Sequence, residues 1–238
     1  MKYVVAAGYG GTGAALARRL APRGHQLLLL GRNGDKLAAL CAEIDAQYAV
    51  VDLTHLDAVE AAVNSFGPID GIVNCAGSIL LKPAHITSEA EFQQTLDTNL
   101  KTAFVVLRAG VKNMPGGGSV VLISTAAARM GYANHEAIAA AKGGIEALVR
   151  SAAATYAAQG LRINAVAPGM TDTPLTAGML KLDAMREAAG RQYPLGGVQT
   201  AAQVADVMAW LLGPGAARIT GQVIPVDGGF TQVRPLVK

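Results

Sequence analysis

About seven short apolar runs alternate with longer stretches of helical character, and this alternation constrains the fold more than any other feature of the chain. The strand candidates are KYVVAA, QLLLL, YAVVDL, IDGIVNCAG, GSVVLIS, LRINAVAPG and GQVIPVD. Between them lie GTGAALARRLAPRG, DKLAALCAEI, LDAVEAAVNSF, residues 89–113, residues 134–159 and AAQVADVMAWLL, which read as helices. The strand candidates are apolar almost throughout, without polar alternation. Strands of that kind are buried on both faces, as in a parallel sheet covered by helices on either side. Parallel neighbours need crossover connections, which are nearly always right-handed. The expected architecture is an α/β, doubly wound parallel sheet of about seven strands with helices on both faces. No linker, repeat or low-complexity tract divides the chain, so residues 1–238 read as a single domain. Residues 170–195 are the least regular part and suit a lid over a site. Met170, Leu175, Met179, Leu180 and Met185 offer either an apolar binding wall or a packing surface.

The first strand candidate runs directly into AAGYGGTGAALARRL. Gly8, Gly10 and Gly13 satisfy the spacing G-x-G-x-x-G, with Gly11 and Thr12 inside it. Such a turn between a strand and a helix bends tightly and lets a pyrophosphate approach the helix N-terminus. There, free N–H groups and the helix dipole favour negative charge. This is the fingerprint of a Rossmann-type dinucleotide site. The same fingerprint places an acidic residue after the second strand to hold a ribose 2′-hydroxyl. This chain has LLLLGRN there. Gly31 leaves room and Arg32 offers a guanidinium, which suits a 2′-phosphate and so NADP(H) over NAD(H). The alternative is that Arg32 is a solvated loop charge. Arg18 and Arg19 are expected on the outer face of the first helix, with an assisting role open to either.

Charged residues make up 16% of the chain, against about 25% in an average soluble domain. A surface this poor in charge suits a homo-oligomer, a dimer or a tetramer. The net charge of +3 comes without a Lys/Arg run, which argues against a nucleic-acid partner. The apolar runs fall far short of the about 20 residues that span a bilayer, and glycines break the N-terminal one too early for a signal peptide. Cys41 and Cys75 have neither metal-ligand spacing nor a disulfide framework. The expectation is a cytoplasmic protein that takes a small-molecule substrate and no metal.

Further motifs give these features a family. Residues 74–77, NCAG, look like the N-N-A-G stretch that follows the fourth strand of the short-chain dehydrogenases/reductases. Asp52 in VVDLT resembles that family's adenine-contacting aspartate, with Leu53 beside it. Asn99 in DTNLKTAF resembles the helix asparagine of the catalytic tetrad. Ser124, in VLIST, resembles the catalytic serine, and Lys142 the lysine of Y-x-x-x-K. NAVAPGMTDTPL resembles the turn that binds the nicotinamide end, through Pro168, Gly169, Thr171 and Thr173. GQVIPVDGGF resembles the closing strand. The resemblance runs over essentially the whole length. It implies that Gly8, Gly10, Gly11, Thr12, Gly13, Arg32, Asp52, Leu53, Asn74, Ala76, Gly77 and Lys142 also contact the cofactor.

Two positions depart from the family pattern. Its glycine motif is G-x-x-x-G-x-G, and an ungapped match puts Ala7 at the first glycine, with Gly11 and Gly13 at the others. Gly8 is expected to substitute through a small backbone shift. The second departure is Ile138, four residues before Lys142, where the family has its proton-donating tyrosine. In the family the lysine lowers the pKa of that hydroxyl and the serine holds the substrate oxygen. General acid assistance is worth about 10²–10⁴ in rate, or roughly 3–5 kcal/mol of barrier.

Ser124, a water and two nearby residues, His135 and Tyr132, are candidates to replace it. His135, Ile138 and Lys142 share a helical stripe, with Asn134 as the expected N-cap and His135 as the first helical residue. An imidazole there donates a proton near neutral pH. Tyr132, in the preceding loop, would restore a phenol from another backbone position. Glu136 is expected to point elsewhere, and Cys75 to be a small buried filler. Three functions stay open: an NADP(H)-dependent oxidoreductase with altered proton delivery, which reduces a small organic substrate; a nucleotide-binding protein without redox chemistry, such as a sensor or oligomer partner; and a lyase or isomerase that uses the same cleft.

Overall fold

Consecutive residues of each central strand feed opposite cores. In β1 (Lys2–Ala6), Val4 and Ala6 join one cluster while Tyr3 and Val5 join the other; in β2 (Gln26–Gly31), Leu28 and Leu30 oppose Leu27 and Leu29. A side-chain period of two with both faces buried is why these strands are apolar throughout. Each fully buried Leu or Val contributes about 1.5–3 kcal/mol relative to exposure. The structure, a computed structural model, describes residues 1–234.

The remaining strands of the main sheet are β3 (Gln47–Val50), β4 (Gly71–Asn74), β5 (Gly118–Ile123), β6 (Leu161–Pro168) and, after the short β7 (Thr171–Asp172) and β8 (Gln199–Thr200), β9 (Val223–Val226). All seven are parallel, in the order β3-β2-β1-β4-β5-β6-β9. Helices α1 (Gly11–Leu20) and α2 (Gly34–Ile44) cover one face, with Leu16, Leu20 and Leu37. On the other, α3 (Leu56–Phe66) supplies Val59 and Val63. Further along the chain come α4 (Glu89–Leu96), α5 (Thr102–Lys112), α6 (Glu136–Tyr156), α7 (Asp183–Gly190) and α8 (Ala201–Leu212). Val105 of α5 and Ile145 and Val149 of α6 pack with α3, while Met208 of α8 packs with α1 and α2. The expected doubly wound, single-domain α/β fold is what the chain adopts.

The structure differs from expectation in four local places. β3 stops at Val50; Tyr48 and Val50 are about half exposed, as an edge strand allows. The stretch expected as one helix over residues 89–113 carries a π turn, Asp97–Lys101, between α4 and α5. α6 starts at Glu136 with His135 as N-cap, and Asn134 has a left-handed backbone, φ 64°. Residues 170–200 form turns, α7 and a two-stranded pairing of β7 with β8.

β1 pairs with β2 on one side and β4 on the other: Val4 sits opposite Leu28 and Ile72. The chain winds outward from β1 in both directions, so a crevice opens at the carboxyl ends of these strands, the switch point where such folds bind ligands. Among the described residues no helix is long and apolar enough to cross a membrane, and no group of three or more His, Cys, Asp or Glu is placed to hold a metal.

Candidate active site

The carboxyl ends of the strands border a cleft of about 520 Å³. Ala7, Tyr9, Gly10, Gly11 and Thr12 form its floor where β1 hands over to α1. The first N–H groups of a helix have no acceptor within it, so α1 presents donors and a positive dipole end here. Ala7 itself takes the left-handed conformation, φ 59°, and Gly8 makes no compensating shift to positive φ. The glycines divide the work. Gly8 and Gly13 do not border the cleft: a Cβ on Gly8 would lie 2.9 Å from Leu29, and one on Gly13 would run into the Ala7 carbonyl. They permit close packing, while Gly10 and Gly11 line the cleft. Arg18 and Arg19 are paired outside it, with Glu43 (2.6 Å) and Asp206 (2.7 Å).

At one end the cleft is bordered by Gly31, Arg32, Asp52, Leu53 and Thr54. A Cβ at position 31 would stand 2.5 Å from the Tyr9 ring, so glycine is needed for Tyr9 to lie there. Asp52 Oδ1 accepts from the Thr54 amide (2.9 Å) and hydroxyl (2.8 Å). These bonds, with Arg32 nearby, hold its carboxyl below the usual carboxylate range.

The other end gathers Cys75, Ala76, Gly77, Ser78, Thr125, Ile138 and Lys142. Lys142 is 5% exposed; its Nζ donates to the Ile123 carbonyl at 2.9 Å and to the Ala76 carbonyl at 3.5 Å. Burial pushes its ammonium down to about 7. The π turn lets Asn99 enter the same corner. Its Nδ2 donates to Ser78 Oγ (3.0 Å) and its Oδ1 accepts from the Ser78 amide (3.2 Å). A Cβ on Gly77 would sit 3.2 Å from Asn99 Oδ1 and 3.4 Å from Lys142 Nζ, so three sequence candidates converge there. Asn74 is fully buried and does not line the cleft. It ties the strand end together, accepting from the Ala76 amide (3.0 Å) and donating to Thr102 Oγ1 (3.2 Å). Burial pushes the Cys75 thiol up to about 12, so it stays protonated and unreactive.

The hydroxyls after β5 are not equivalent. Ser124 Oγ donates to Glu146 Oε1 on α6 (2.8 Å) and is 4% exposed. Thr125 also borders the cleft, and its Oγ1 is engaged only by a long contact from the Ala127 amide (3.4 Å). Both residues border the cleft, so what separates them is that the Ser124 hydroxyl is spent on Glu146.

Ile138 lines the cleft one helical turn before Lys142. Two of the expected stand-ins for the tyrosine do not border it. Tyr132 donates to Gln192 Oε1 (2.8 Å) and packs against Phe230 and His135. His135 pairs its Nδ1 with the Ala133 carbonyl (2.7 Å), turned there by its position outside the helix proper. Pro168, Gly169, Thr171 and Thr173 border the cleft, with Pro174, Leu175 and Thr176. Of the expected apolar wall only Leu175 does so; Leu180 is buried in packing, and Met185 is exposed on α7.

The family model described as enoyl-(acyl carrier protein) reductase matches residues 6–231. The chain belongs to the short-chain dehydrogenase/reductase family. It is 36% identical to cis-4-hydroxycyclohexanecarboxylate dehydrogenase of Sinomonas cyclohexanicum, over 97% of this chain and 96% of that one. A short-chain type dehydrogenase/reductase from Mycobacterium ulcerans superposes with a TM-score of 0.93 at 30% identity, covering 98% of this chain and 90% of that one. Actinorhodin polyketide ketoreductase with NADPH gives a TM-score of 0.89 at 25% identity, covering 98% and 97%. Short-chain dehydrogenases/reductases bind nicotinamide cofactors, and the cleft fits one. Its glycine floor at Gly10 and Gly11 leaves backbone exposed where a Cβ on Gly11 would strike Thr173 at 2.7 Å.

Proposed function

We propose that the protein is an NADP(H)-dependent oxidoreductase that reduces a small organic substrate without the family's tyrosine. The observation that carries this reading is the distribution of chemistry along one cleft: Arg32 at one end, and Lys142 with Thr125 and Asn99 nearby at the other. Arg32 is held to pair with a ribose 2′-phosphate, since nothing acidic occupies its place. Gly10, Gly11 and Thr12 hold the pyrophosphate; Asp52 and Leu53 flank the adenine; Ala76, Gly77, Pro168, Gly169, Thr171 and Thr173 enclose the nicotinamide half. Thr125, not Ser124, supplies the hydroxyl that steadies the substrate heteroatom. Leu175 and Ile79 give the substrate end apolar sides. Residues 170–195 act as a lid, and the protein works as a homo-oligomer in the cytoplasm.

A second reading, nucleotide binding without redox chemistry, is favoured by one observation: Ile138 faces the cleft while His135 and Tyr132 are engaged elsewhere. Two titrations decide between them. Calorimetry with NADPH and NADH, on the protein and on Arg32→Ala, reads the cofactor preference. Loss of NADPH absorbance with a ketone, an imine and an enone reads turnover. The proposal expects Arg32→Ala to weaken NADPH by about tenfold or more and leave NADH unchanged. Equal weakening rejects the phosphate role, and NADPH binding with no consumption favours the second reading.

A further inference from the structure

The ionisable side chains bordering the cleft are Tyr9, Arg32, Asp52, Cys75, Asp97 and Lys142. Tyr9, Arg32 and Asp52 belong to the end where the glycine turn meets β2. Asp97, on the π turn, is engaged as an acceptor by Gln93 Nε2 (3.1 Å). Cys75 is a neutral thiol far too weak an acid near neutral pH. Lys142 remains, buried one turn from Ile138 and beside Gly77 and Asn99.

On the oxidoreductase reading above, we infer that Lys142 is itself the acid, its ammonium passing a proton through one water molecule to the substrate oxygen or nitrogen. Isoleucine is shorter than tyrosine, and Ile138 (4% exposed) lines the cleft beside Lys142, which is where that water would sit.

The hydrogen bonds of Lys142 suit a group that cycles between two states. An ammonium has three N–H donors, and the Ile123 and Ala76 carbonyls take two. The third is free for the cleft. After the proton leaves, two donors remain for the same two carbonyls, so ionisation breaks neither contact. No carboxylate holds the ammonium charged. Glu146, one turn further along α6, accepts from Ser124, and Asp97 accepts from Gln93. The neighbouring Cys75 thiol, held neutral by burial, offers no counter-charge. Burial is therefore uncompensated and brings the ammonium near neutrality, where general acids are most effective.

A nicotinamide held in the cleft would supply a hydride to the carbon of a C=O or C=N bond. As that bond's π pair moves onto oxygen or nitrogen, the heteroatom takes a proton from the water, which takes one from Lys142. An N–H bond of the lysine breaks, an O–H or N–H bond of the product forms, and solvent returns the proton to the amine.

Two measurements test this. In the protein with ¹³C-labelled lysine and no cofactor, the Lys142 resonance is expected to titrate near neutrality; a midpoint in the ordinary lysine range overturns the inference without any assay of turnover. In the second, Lys142→Arg keeps a cation that cannot release its proton. With NADPH and 2,3-butanedione or a cyclic imine, kcat is expected to fall about 10²–10⁴-fold. NADPH affinity is read in parallel by calorimetry so that kcat is compared at saturation, and the wild-type kcat should decline as pH rises through the Lys142 midpoint. Wild-type turnover that Lys142→Arg leaves unchanged overturns the Lys142 assignment alone. Wild-type protein that binds NADPH and never transfers hydride overturns the oxidoreductase reading and this inference together.

Discussion

Ile138 sits one turn before Lys142 on α6, and both side chains border the same cleft, yet only the lysine carries a group that can move a proton. The site is thus a buried cation beside an apolar step, framed by the Thr125 hydroxyl and the Asn99 amide.

Restoring a phenol at that step should restore the family's proton delivery. Ile138→Tyr is expected to raise turnover of simple ketones with NADPH, by less than the about 10²–10⁴-fold that general acid assistance is worth in full, since Lys142 already supplies part of it. The cleft side of α6 has room for the ring, so the fold should persist. Steady-state kinetics on wild type and variant check this, and equal rates would mean that proton transfer does not limit turnover.

The depressed ionisation of Lys142 also has a signature in stability. Its pKa in the folded state is lowered to about 7 from an ordinary 10.5. Between those values the unfolded chain holds a proton that the folded protein lacks, so the contribution to stability rises with pH. Below about pH 7 both states hold it, and the penalty for burying the charge is fully present. Replacement by Met removes the penalty. Lys142→Met should therefore gain most over wild type at pH 6 to 7 (on the order of a few kcal/mol at most) and lose that advantage toward pH 10. Denaturant melts of both proteins across this range test it; a constant difference would place the lysine in a solvated setting.

Much of this was legible in the chain, for identifiable reasons. Strands buried on both faces write themselves as unbroken apolar runs such as QLLLL, and the strand–glycine–helix order marks the switch point. Lys142, Gly77 and Arg32 border the cleft, and Asn99 is buried directly behind Gly77. What escaped were features decided by orientation within one or two residues. Ser124 and Thr125 both border the cleft and differ in whether their hydroxyl is engaged by a neighbouring side chain. His135 sits just outside α6, where the backbone turns its ring to Ala133 instead of inward. The π turn at Asn99 leaves no local composition signal; it follows from how α4 and α5 pack. Asn74 reads as a ligand-binding residue by motif but spends both ends of its amide on the fold.

Ala7 stores strain that glycine would relieve. Its φ of 59° costs an L-residue about 1–2 kcal/mol. The extra freedom of glycine in the unfolded chain returns about 0.4–1 kcal/mol of that. Ala7→Gly should raise stability by about 0.5–1 kcal/mol, or a few degrees in Tm for a chain of this size. Thermal melts check it, and a lowered Tm would show that the Ala7 methyl makes packing contacts worth more than the strain.

The expected oligomer has a candidate face. Leu96, Leu100, Phe104, Ala147 and Leu148 line an apolar groove between α4, α5 and α6, and Phe104 is 50% exposed. Phe104→Glu should convert the protein to monomer in sedimentation at micromolar concentration with the fold retained by circular dichroism. An unchanged oligomer would place the interface elsewhere.

The central claim is that this cleft moves hydride although Ile138 replaces a phenol. Single-turnover reaction of the protein with NADPH deuterated at nicotinamide C4, against a ketone, an imine and an enone, tests it most directly by mass spectrometry of the products. The account predicts one deuterium on the reduced carbon of at least one product. NADPH bound stoichiometrically, with its deuterium retained in every mixture, would contradict it.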